Sequence, residues 1–575
     1  MRILGLSTMT ESAAALLVNG QIVAAAEMER FTRVKHAGGF PWPAIDYCLE
    51  AGGITLGEVD CVAVYWDPYK LGRRLRYIAE TLLRDPGLFI EKLQRGATVW
   101  SGAGGSDSGW GSLFRTGAKL KERYGTGPKR VQFFDHHECH MATCFLCTEW
   151  DEAALLIMDG AGEAACTTTA IGRGRDFQRL DVHYLPHSLG HFYSAVTGYC
   201  GFKMLDGEYK LMGLSPYGDS SGAKWIRENC LVTTKPGRYA FNTGAIDYHR
   251  ALKGNFKGSF AQHFGPARDP AEPEEMADRY RDVAASAQQA FNEVVLDIAE
   301  DLRKKSGAAR LGIAGGCGLN CVANGQILAG GAFDEVYVPP VPNDAGGALG
   351  AAMLCHTRLT GQRPAIVRHG QYGPEYTSSE IESALNQHPD LQREKLAEET
   401  LIERTAQLLA NSGIAAWFQG RMEFGARALG NRSFLADPRS ADIRDVINQK
   451  IKKRELFRPF APSVTEEAAS DYFEISQPSP FMTIVVPVRP ERRHELAAVT
   501  HVDGTARPQT VSKADNPRYW KLLDVFGELT GVPVLLNTSF NIQEPIVCTP
   551  EEAIATFLQS DVDALVMGDF WITRG

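Results

Sequence analysis

The sequence predicts a mixed α/β protein of at least two domains, on three observations. A pattern of strand, polar loop, strand, hairpin and strand occurs twice, at 3–26 and at 153–180, as two similar β-sheet lobes facing one another would require. Two Gly-rich turns each join an apolar run to a helical pattern, at 311–320 and 336–350. A chain of 575 residues with 44% hydrophobic content is long enough for more than one core.

In the first copy, Ile3–Leu6 is a strand, Ser7–Ser12 a polar turn, Ala13–Val18 a strand, Asn19-Gly20 a tight hairpin turn and Ile22–Ala26 a third strand. The second copy runs Ala153–Met158, Asp159–Glu163, Cys166–Ile171, Gly172–Gly174 and on to Leu180. In each, the polar loop between the first two strands points into the space between the lobes. The charged run Glu27–His36 is either a solvated turn or a cationic wall for an anionic ligand. Residues 67–130, with Arg73, Arg74, Arg76, Trp100, Trp110 and the Gly-rich run Ser101–Gly111, read as an insertion that could serve as an acceptor lid or be an irregular surface loop.

The chemistry-bearing stretch is Asp135-His136-His137-Glu138-Cys139-His140. On a helix, His136 and His140 project from one face about one turn apart and can close on a single metal ion. Asp159 ends the apolar run Leu155–Met158, so it sits at the tip of a buried strand where a carboxylate can join them. Two imidazoles and a carboxylate suit iron, manganese or zinc. Lys210, inside the otherwise apolar 207–218 run, needs an anionic partner if buried. Apolar spacing over Met276–Lys305 predicts a long amphipathic helix. The following turn carries Gly315, Gly316, Gly318 and Asn320, whose backbone can approach a phosphate or ribose. The next places Asp344 at a strand-to-helix junction, as a fourth metal ligand or an N-cap; the ligand reading is favoured, because a His-x-x-x-His and an aspartate already look for company.

After a linker at about 356–374, Ile414–Phe418 is a strand leading to the Gly- and Arg-rich 419–433 loop, which is expected to enter a helix. Arg427, Arg458 and Arg507 all lie beside Gly or Pro turns, accompanied by Lys452 and Asn537; in a chain of net charge −9 that clustering asks for a phosphate-rich ligand. The same charge and a pI near 5.9 argue against nucleic-acid partners. No apolar run is long enough for a membrane span, the N-terminus lacks a signal peptide's pattern, and the twelve Cys read as reduced and packed, so a cytoplasmic protein is expected.

These motifs together resemble the O-carbamoyltransferases of antibiotic tailoring and nodulation-factor decoration. The resemblance is carried by Glu29–Arg33, His136-x-x-x-His140, Met158–Gly160, Lys210–Leu214, Gly315–Asn320, Gly425–Ser433, Arg458–Pro462 and Leu536–Asn541. It implies an N-terminal domain of the actin/hexokinase/Hsp70 type (ASKHA) over 1–360 and a YrdC-like domain over 361–575. It further implies that the second domain makes carbamoyl-adenylate from carbamoyl phosphate and ATP, with Mg2+ accompanying the ATP. The first domain would then deliver the carbamoyl group to a hydroxyl of a small-molecule natural product. By this likeness His136, His140, Asp159 and Asp344 hold a metal, iron(II) being favoured over manganese or zinc, and Arg427, Arg458, Arg507 and Asn537 hold carbamoyl phosphate and the ATP phosphates, with Lys452 nearby. One departure stands out: where many members carry His-Asp in the first polar loop, this chain has Thr10-Glu11. Thr10 cannot act as a base at neutral pH; Glu11 is the expected replacement, unless His191 serves or the acceptor needs less help. A transferase of the tRNA threonylcarbamoyl kind and a catalytically silent nucleotide-binding protein are the rival readings. The acceptor and the oligomeric state leave no mark in the sequence.

Overall fold

In the computed structural model, described over residues 1–70, 72–84, 86, 87, 90, 110–246, 256, 258–271 and 277–575, the N-terminal apolar segments form β1 (Arg2–Ser7), β2 (Ala13–Val18) and β3 (Gln21–Glu27), followed by β4 (Cys61–Val64) and β5 (Val131–Phe133). They make one sheet in the order β3-β2-β1-β4-β5. The second copy forms β6 (Glu152–Met158), β7 (Ala165–Arg173) and β8 (Asp176–Tyr184). After a small hairpin, β9 (Leu231–Lys235) and β10 (Arg238–Phe241), it is completed by β11 (Arg310–Ala314) and β12 (Glu335–Tyr337) in the order β12-β11-β6-β7-β8. The two sheets are the same object built twice: an antiparallel meander of three strands whose first strand continues into two parallel ones. The strands read as near-continuous apolar runs because both faces are covered: every residue of β4 and all but the first of β6 are buried.

The long amphipathic helix spans Asp278–Ser306 and buries Val283, Ala287, Phe291, Val294, Ile298 and Leu302 along one stripe; its expected first residues from Met276 lie outside the described residues. The helix Gly346–Thr360 packs against β1, β2, β4 and the helix His136–Phe145. Glycine makes that contact possible. A Cβ on Gly5 would stand 1.9 Å from the Ala348 carbonyl oxygen, and one on Gly350 would stand 2.1 Å from that of Cys139. The backbones therefore touch, and Asp344 is held two residues before a helix that cannot slide.

Two compact units emerge, Met1–Thr32 with His36–Val367 and Arg33–Lys35 with Arg368–Gly575. The second is built on one mixed sheet of eight strands. In chain order these are β13 (Leu391–Lys395), β14 (Ala415–Phe418), β15 (Arg432–Ala436), β16 (Ala461–Thr465), β19 (Gln509–Val511), β20 (Val534–Ser539), β21 (Ala564–Met567) and β22 (Phe570–Arg574), with β17 (Val486–Pro487) and β18 (Thr505–Ala506) as a separate short pair. The spatial order is β13-β22-β21-β14-β15-β20-β16-β19. Trp417, Leu435, Leu522, Phe526, Leu535 and Val566 form its main core. One expectation fails here: the 419–433 loop enters strand β15, not a helix. Arg432 is wholly buried, donating to the carbonyls of Gln419, Asn431, Pro374 and Gly420 with its guanidinium 3.6 Å from the centre of the Phe418 ring. Those fixed acceptors hold residues 432–436 extended between β14 and β20. Among the described residues, no helix is long and apolar enough to cross a membrane.

Substituting Gly350 with Ala sets a methyl against the Cys139 carbonyl. Overpacking of this kind costs about 1–3 kcal/mol, so thermal unfolding of Gly350→Ala is expected to fall by several degrees, whereas Gly125→Ala, an exposed helix end with open space around its Cβ, is expected to show only the smaller cost of a left-handed non-glycine residue.

Candidate metal centre

The helix carrying the histidines starts where the sequence dictates. Asp135 caps it, its Oδ1 accepting from the Glu138 amide at 3.0 Å. Lys70 donates to the other oxygen at 2.6 Å, and Arg179 also bonds this carboxylate. These cations hold the Asp135 carboxyl below the usual carboxylate range despite burial. Glu163 accepts from the amides of Asp67 and His136 at 2.9 and 3.1 Å, tying the first turn to β4's exit loop.

One turn apart on that helix, His136 and His140 are both wholly buried, with their Nε2 atoms 3.0 Å from each other. His136 Nε2 is also 3.0 Å from Asp159 Oδ2 and 3.4 Å from Asp344 Oδ1; His140 Nε2 is 3.8 Å from the latter. One ligand atom from each of the four residues falls within 4.8 Å of the others. Asp159 follows the last residue of β6. Asp344 precedes the Gly346–Thr360 helix, whose N-cap is Ala345, with no side-chain cap bond; of the two roles open to Asp344, capping is not the one it takes.

The set fits a divalent ion. A buried and a half-buried carboxylate facing the same imidazoles favour a cation between them, and two neutral imidazoles with two carboxylates are a borderline donor set suited to iron, manganese or zinc. Burial opposes a charge on His136, but Asp344 and Asp159 together push its pKa well above the ordinary histidine value. The carboxylates are oriented from behind. Thr10 Oγ1 donates to Asp344 Oδ2 at 2.6 Å, Tyr65 OH to the same oxygen at 3.4 Å, and the Gly316 amide to Asp159 Oδ1 at 3.0 Å. Thr10 is thus a neighbour that steers a ligand. Tyr65 gave no sequence signal, since a tyrosine after an apolar strand reads as core.

The glycine turn is built for the carboxylate. Gly315 adopts φ +89° and its Cβ would lie 2.1 Å from the Met158 carbonyl oxygen, so only glycine brings the Gly316 amide to Asp159. Gly318 packs on Pro342. Asn320 caps the next helix, accepting from the Ala323 amide at 3.1 Å, and exchanges hydrogen bonds with Gln288. Lys210, half-buried in the helix Glu208–Leu214, places its ammonium 5.8 Å from the Phe202 ring centre.

Beside the centre, Glu11 accepts or shares a proton with His36 Nδ1 at 3.0 Å, and the other ring nitrogen of His36 is 3.0 Å from Asp206 Oδ1. The charged run that leads to His36 is buried at its start and exposed at Thr32 and Val34–His36. Arg30 is 3% exposed and pairs with Glu27 and Glu29 at 2.5 and 2.8 Å, while Glu29 accepts from the His36 amide at 2.8 Å. His191 stands over Gly160, next to Asp159: a Cβ there would be 3.4 Å from its Nε2. Of the insertion, Trp100 and Ser101–Gly109 lie outside the described residues, as do the side chains of Arg73, Arg74 and Trp110.

In the second unit the strand register gathers a polar chamber around Asn537, which is 2% exposed. Its Nδ2 donates to Ser463 Oγ and Gln509 Oε1, both at 3.0 Å, and to the Ala428 carbonyl at 3.3 Å; among the described residues its Oδ1 has no partner. Gln509 donates to the Leu429 carbonyl at 2.8 Å. The backbones next to Arg427 and Arg507 therefore converge on Asn537, and Arg458 lies three residues before β16, which pairs with it. All three arginines are half-buried. Glu423, unmarked in the sequence reading, accepts from the Leu429 and Asn431 amides at 2.7 and 2.8 Å and fixes the same turn. Lys452 is committed to the protein: its buried ammonium donates to Asn541 Oδ1 and the Asn541 carbonyl, both at 2.8 Å, and to the Ser539 carbonyl. Burial among neighbouring arginines pushes its pKa far down. With its donors engaged, it anchors the Asn537–Asn541 loop rather than reaching a reactant.

Two family models match the chain: Carbamoyltransferase N-terminus over residues 2–353 and Carbamoyltransferase C-terminus over 406–574. An uncharacterized protein of Synechocystis is 40% identical over 609 aligned residues, covering 100% of this chain and 96% of its own. Nodulation protein NolNO of Sinorhizobium fredii is 36% identical, covering 98% of this chain and 79% of its own. The 3'-hydroxymethylcephem-O-carbamoyltransferase of Amycolatopsis lactamdurans is 38% identical over 264 residues, 46% of this chain and 48% of its own.

Titrating the metal-free protein with Fe2+, Mn2+ or Zn2+ is expected to show one high-affinity ion per chain by calorimetry. Asp344→Asn is expected to abolish it, and Thr10→Val, which removes only the hydroxyl behind Asp344, to weaken it by about 10–100-fold.

Proposed function

Since the chain belongs to the carbamoyltransferase family, we propose that it is an ATP-dependent O-carbamoyltransferase acting on a hydroxyl of a small molecule. The observation that carries this reading is the convergence of His136, His140, Asp159 and Asp344 in one buried cluster of the unit matched by the N-terminal family model. An enzyme that only bound a nucleotide for interaction would gain nothing from two carboxylates buried against two imidazoles.

The second unit takes the role of a YrdC-like domain, with Arg427, Arg458, Arg507 and the open Oδ1 of Asn537 around carbamoyl phosphate and the ATP phosphates. Atom balance sets the products: carbamoyl phosphate, ATP and one water give carbamoyl-adenylate, phosphate and pyrophosphate. In the first unit the acceptor oxygen attacks the carbamoyl carbon, the bond to the adenylate oxygen breaks, and AMP departs with the electron pair. A divalent ion held by the four ligands supplies positive charge against that departing anion. Glu11 takes the proton of the attacking hydroxyl, since Thr10 is engaged on Asp344 and a threonine is no base at neutral pH. Handing the adenylate on within the protein guards an acyl donor that water would destroy. The name of the Amycolatopsis relative, 3'-hydroxymethylcephem-O-carbamoyltransferase, fits a hydroxyl acceptor.

Pyrophosphate release from ATP that requires carbamoyl phosphate but no acceptor is expected of the wild type; its absence would refute this reading and favour a silent nucleotide-binding protein. Arg507→Ala is expected to lower that release by about 10–100-fold through loss of a charged hydrogen bond. Glu11→Gln is expected to leave it intact while reducing carbamoyl transfer by about 10²–10⁴-fold.

A further inference from the structure

We propose that His36 and Asp206 are positioning residues which, with Glu11, form a carboxylate–imidazole–carboxylate trio that fixes the proton-accepting carboxylate beside the metal centre. The inference rests on the carbamoyl-transfer reading and adds two residues to it.

The geometry is a clamp. His36 uses both ring nitrogens, Nδ1 at 3.0 Å from Glu11 Oε1 and Nε2 at 3.0 Å from Asp206 Oδ1. One oxygen of Glu11 is thereby bound, and the side chain keeps 25% of its surface exposed. Thr10, the preceding residue, holds Asp344, so the carboxylate that receives the proton and the ligand that sets the ion are steered by adjacent residues of one turn.

A second observation is conformational and independent of charge. Glu11 has φ +48°, His36 φ +52° and Leu205, next to Asp206, φ +62°. Non-glycine residues rarely occupy this region, and they persist there where surrounding structure over-determines them, most often at functional sites. Here all three limbs of one trio are so held. The limb that carries His36 is braced from behind by the buried Glu27–Arg30–Glu29 network through the His36 amide. A surface salt bridge would need no such bracing.

The charges facing the trio are Asp344 beyond Thr10 and Glu29 behind His36, which act on Glu11, and Lys203, 3.1 Å from Asp206. Burial raises Glu11 above the ordinary carboxylate value and the His36 cation opposes that rise. His36 itself is raised to about 10 by its bonds to Asp206 and then Glu11. Its contribution to stability is therefore complete below the ordinary histidine value near pH 6.5 and fades as pH climbs through about 10.

The test uses the full chain with its metal, ATP and carbamoyl phosphate, methanol as the hydroxyl probe, and two readouts across pH 5–10: pyrophosphate and methyl carbamate. His36→Gln keeps a hydrogen-bonding side chain and loses the charge. It is expected to leave pyrophosphate release within twofold, to lower methyl carbamate formation at least tenfold at pH 7 through kcat, and to move the acid limb of that profile upward, since burial of Glu11 is then unopposed. Asp206→Asn is expected to keep the acid limb and to make transfer fall above neutral pH, as His36 loses its proton well below 10. A His36→Gln profile with the wild-type acid limb and rate would overturn the proposal, as would wild type that releases pyrophosphate yet forms no methyl carbamate. Should His36→Gln fail to fold, an Asp206→Asn profile that stays flat to pH 10 overturns it alone. Wild type without carbamoyl-phosphate-dependent pyrophosphate would instead refute the underlying transferase reading.

Discussion

Everything around the candidate centre answers to one electrostatic constraint: two carboxylates, the buried Asp159 and the half-buried Asp344, lie within reach of the same pair of buried imidazoles. A low-dielectric site cannot leave that charge uncompensated. Each carboxylate has an oriented donor at its back, the Gly316 amide for Asp159 and Thr10 and Tyr65 for Asp344. Glycine contacts then lock the backbones that deliver them, at Gly315 against β6's end and at Gly350 against the histidine helix.

The duplicated sheet explains how four ligands from distant stretches meet. The strand before Asp159 and the strand before the Gly315 turn are neighbours, β6 and β11, in the second sheet, while Thr10 lies in the loop between β1 and β2 of the first. Such loops sit at equivalent strand ends in each sheet. The helix after Asp344 packs on both the first sheet and the His136–Phe145 helix, so it joins the two halves of the site.

In the second unit the design is different. No carboxylate cluster is gathered; instead one buried asparagine, Asn537, organises turns from β16, β19 and the 428–431 segment, with Glu423 holding that segment by its amides. The Lys452 ammonium and the two terminal nitrogens of Arg432 are occupied by protein oxygens, and both side chains act as struts. The half-buried Arg427, Arg458 and Arg507 are side chains suited to an anionic ligand, and Arg458 also faces Glu455 at 3.7 Å.

The sequence by itself determined what depends on period and spacing. The doubled meander, the amphipathic Asp278–Ser306 helix, the one-turn spacing of His136 and His140 and the strand-end position of Asp159 were all legible, because each follows from local pattern. Tertiary structure decided what depends on partners distant in the chain. Whether Asp344 caps a helix or faces the histidines, which oxygens the Lys452 ammonium meets, and whether the 419–433 loop enters a helix or β15 turned on partners contributed from elsewhere. The Glu11–His36–Asp206 trio was least legible of all, since its three residues are separated by 25 and 170 positions and meet only because three left-handed turns aim them at one point.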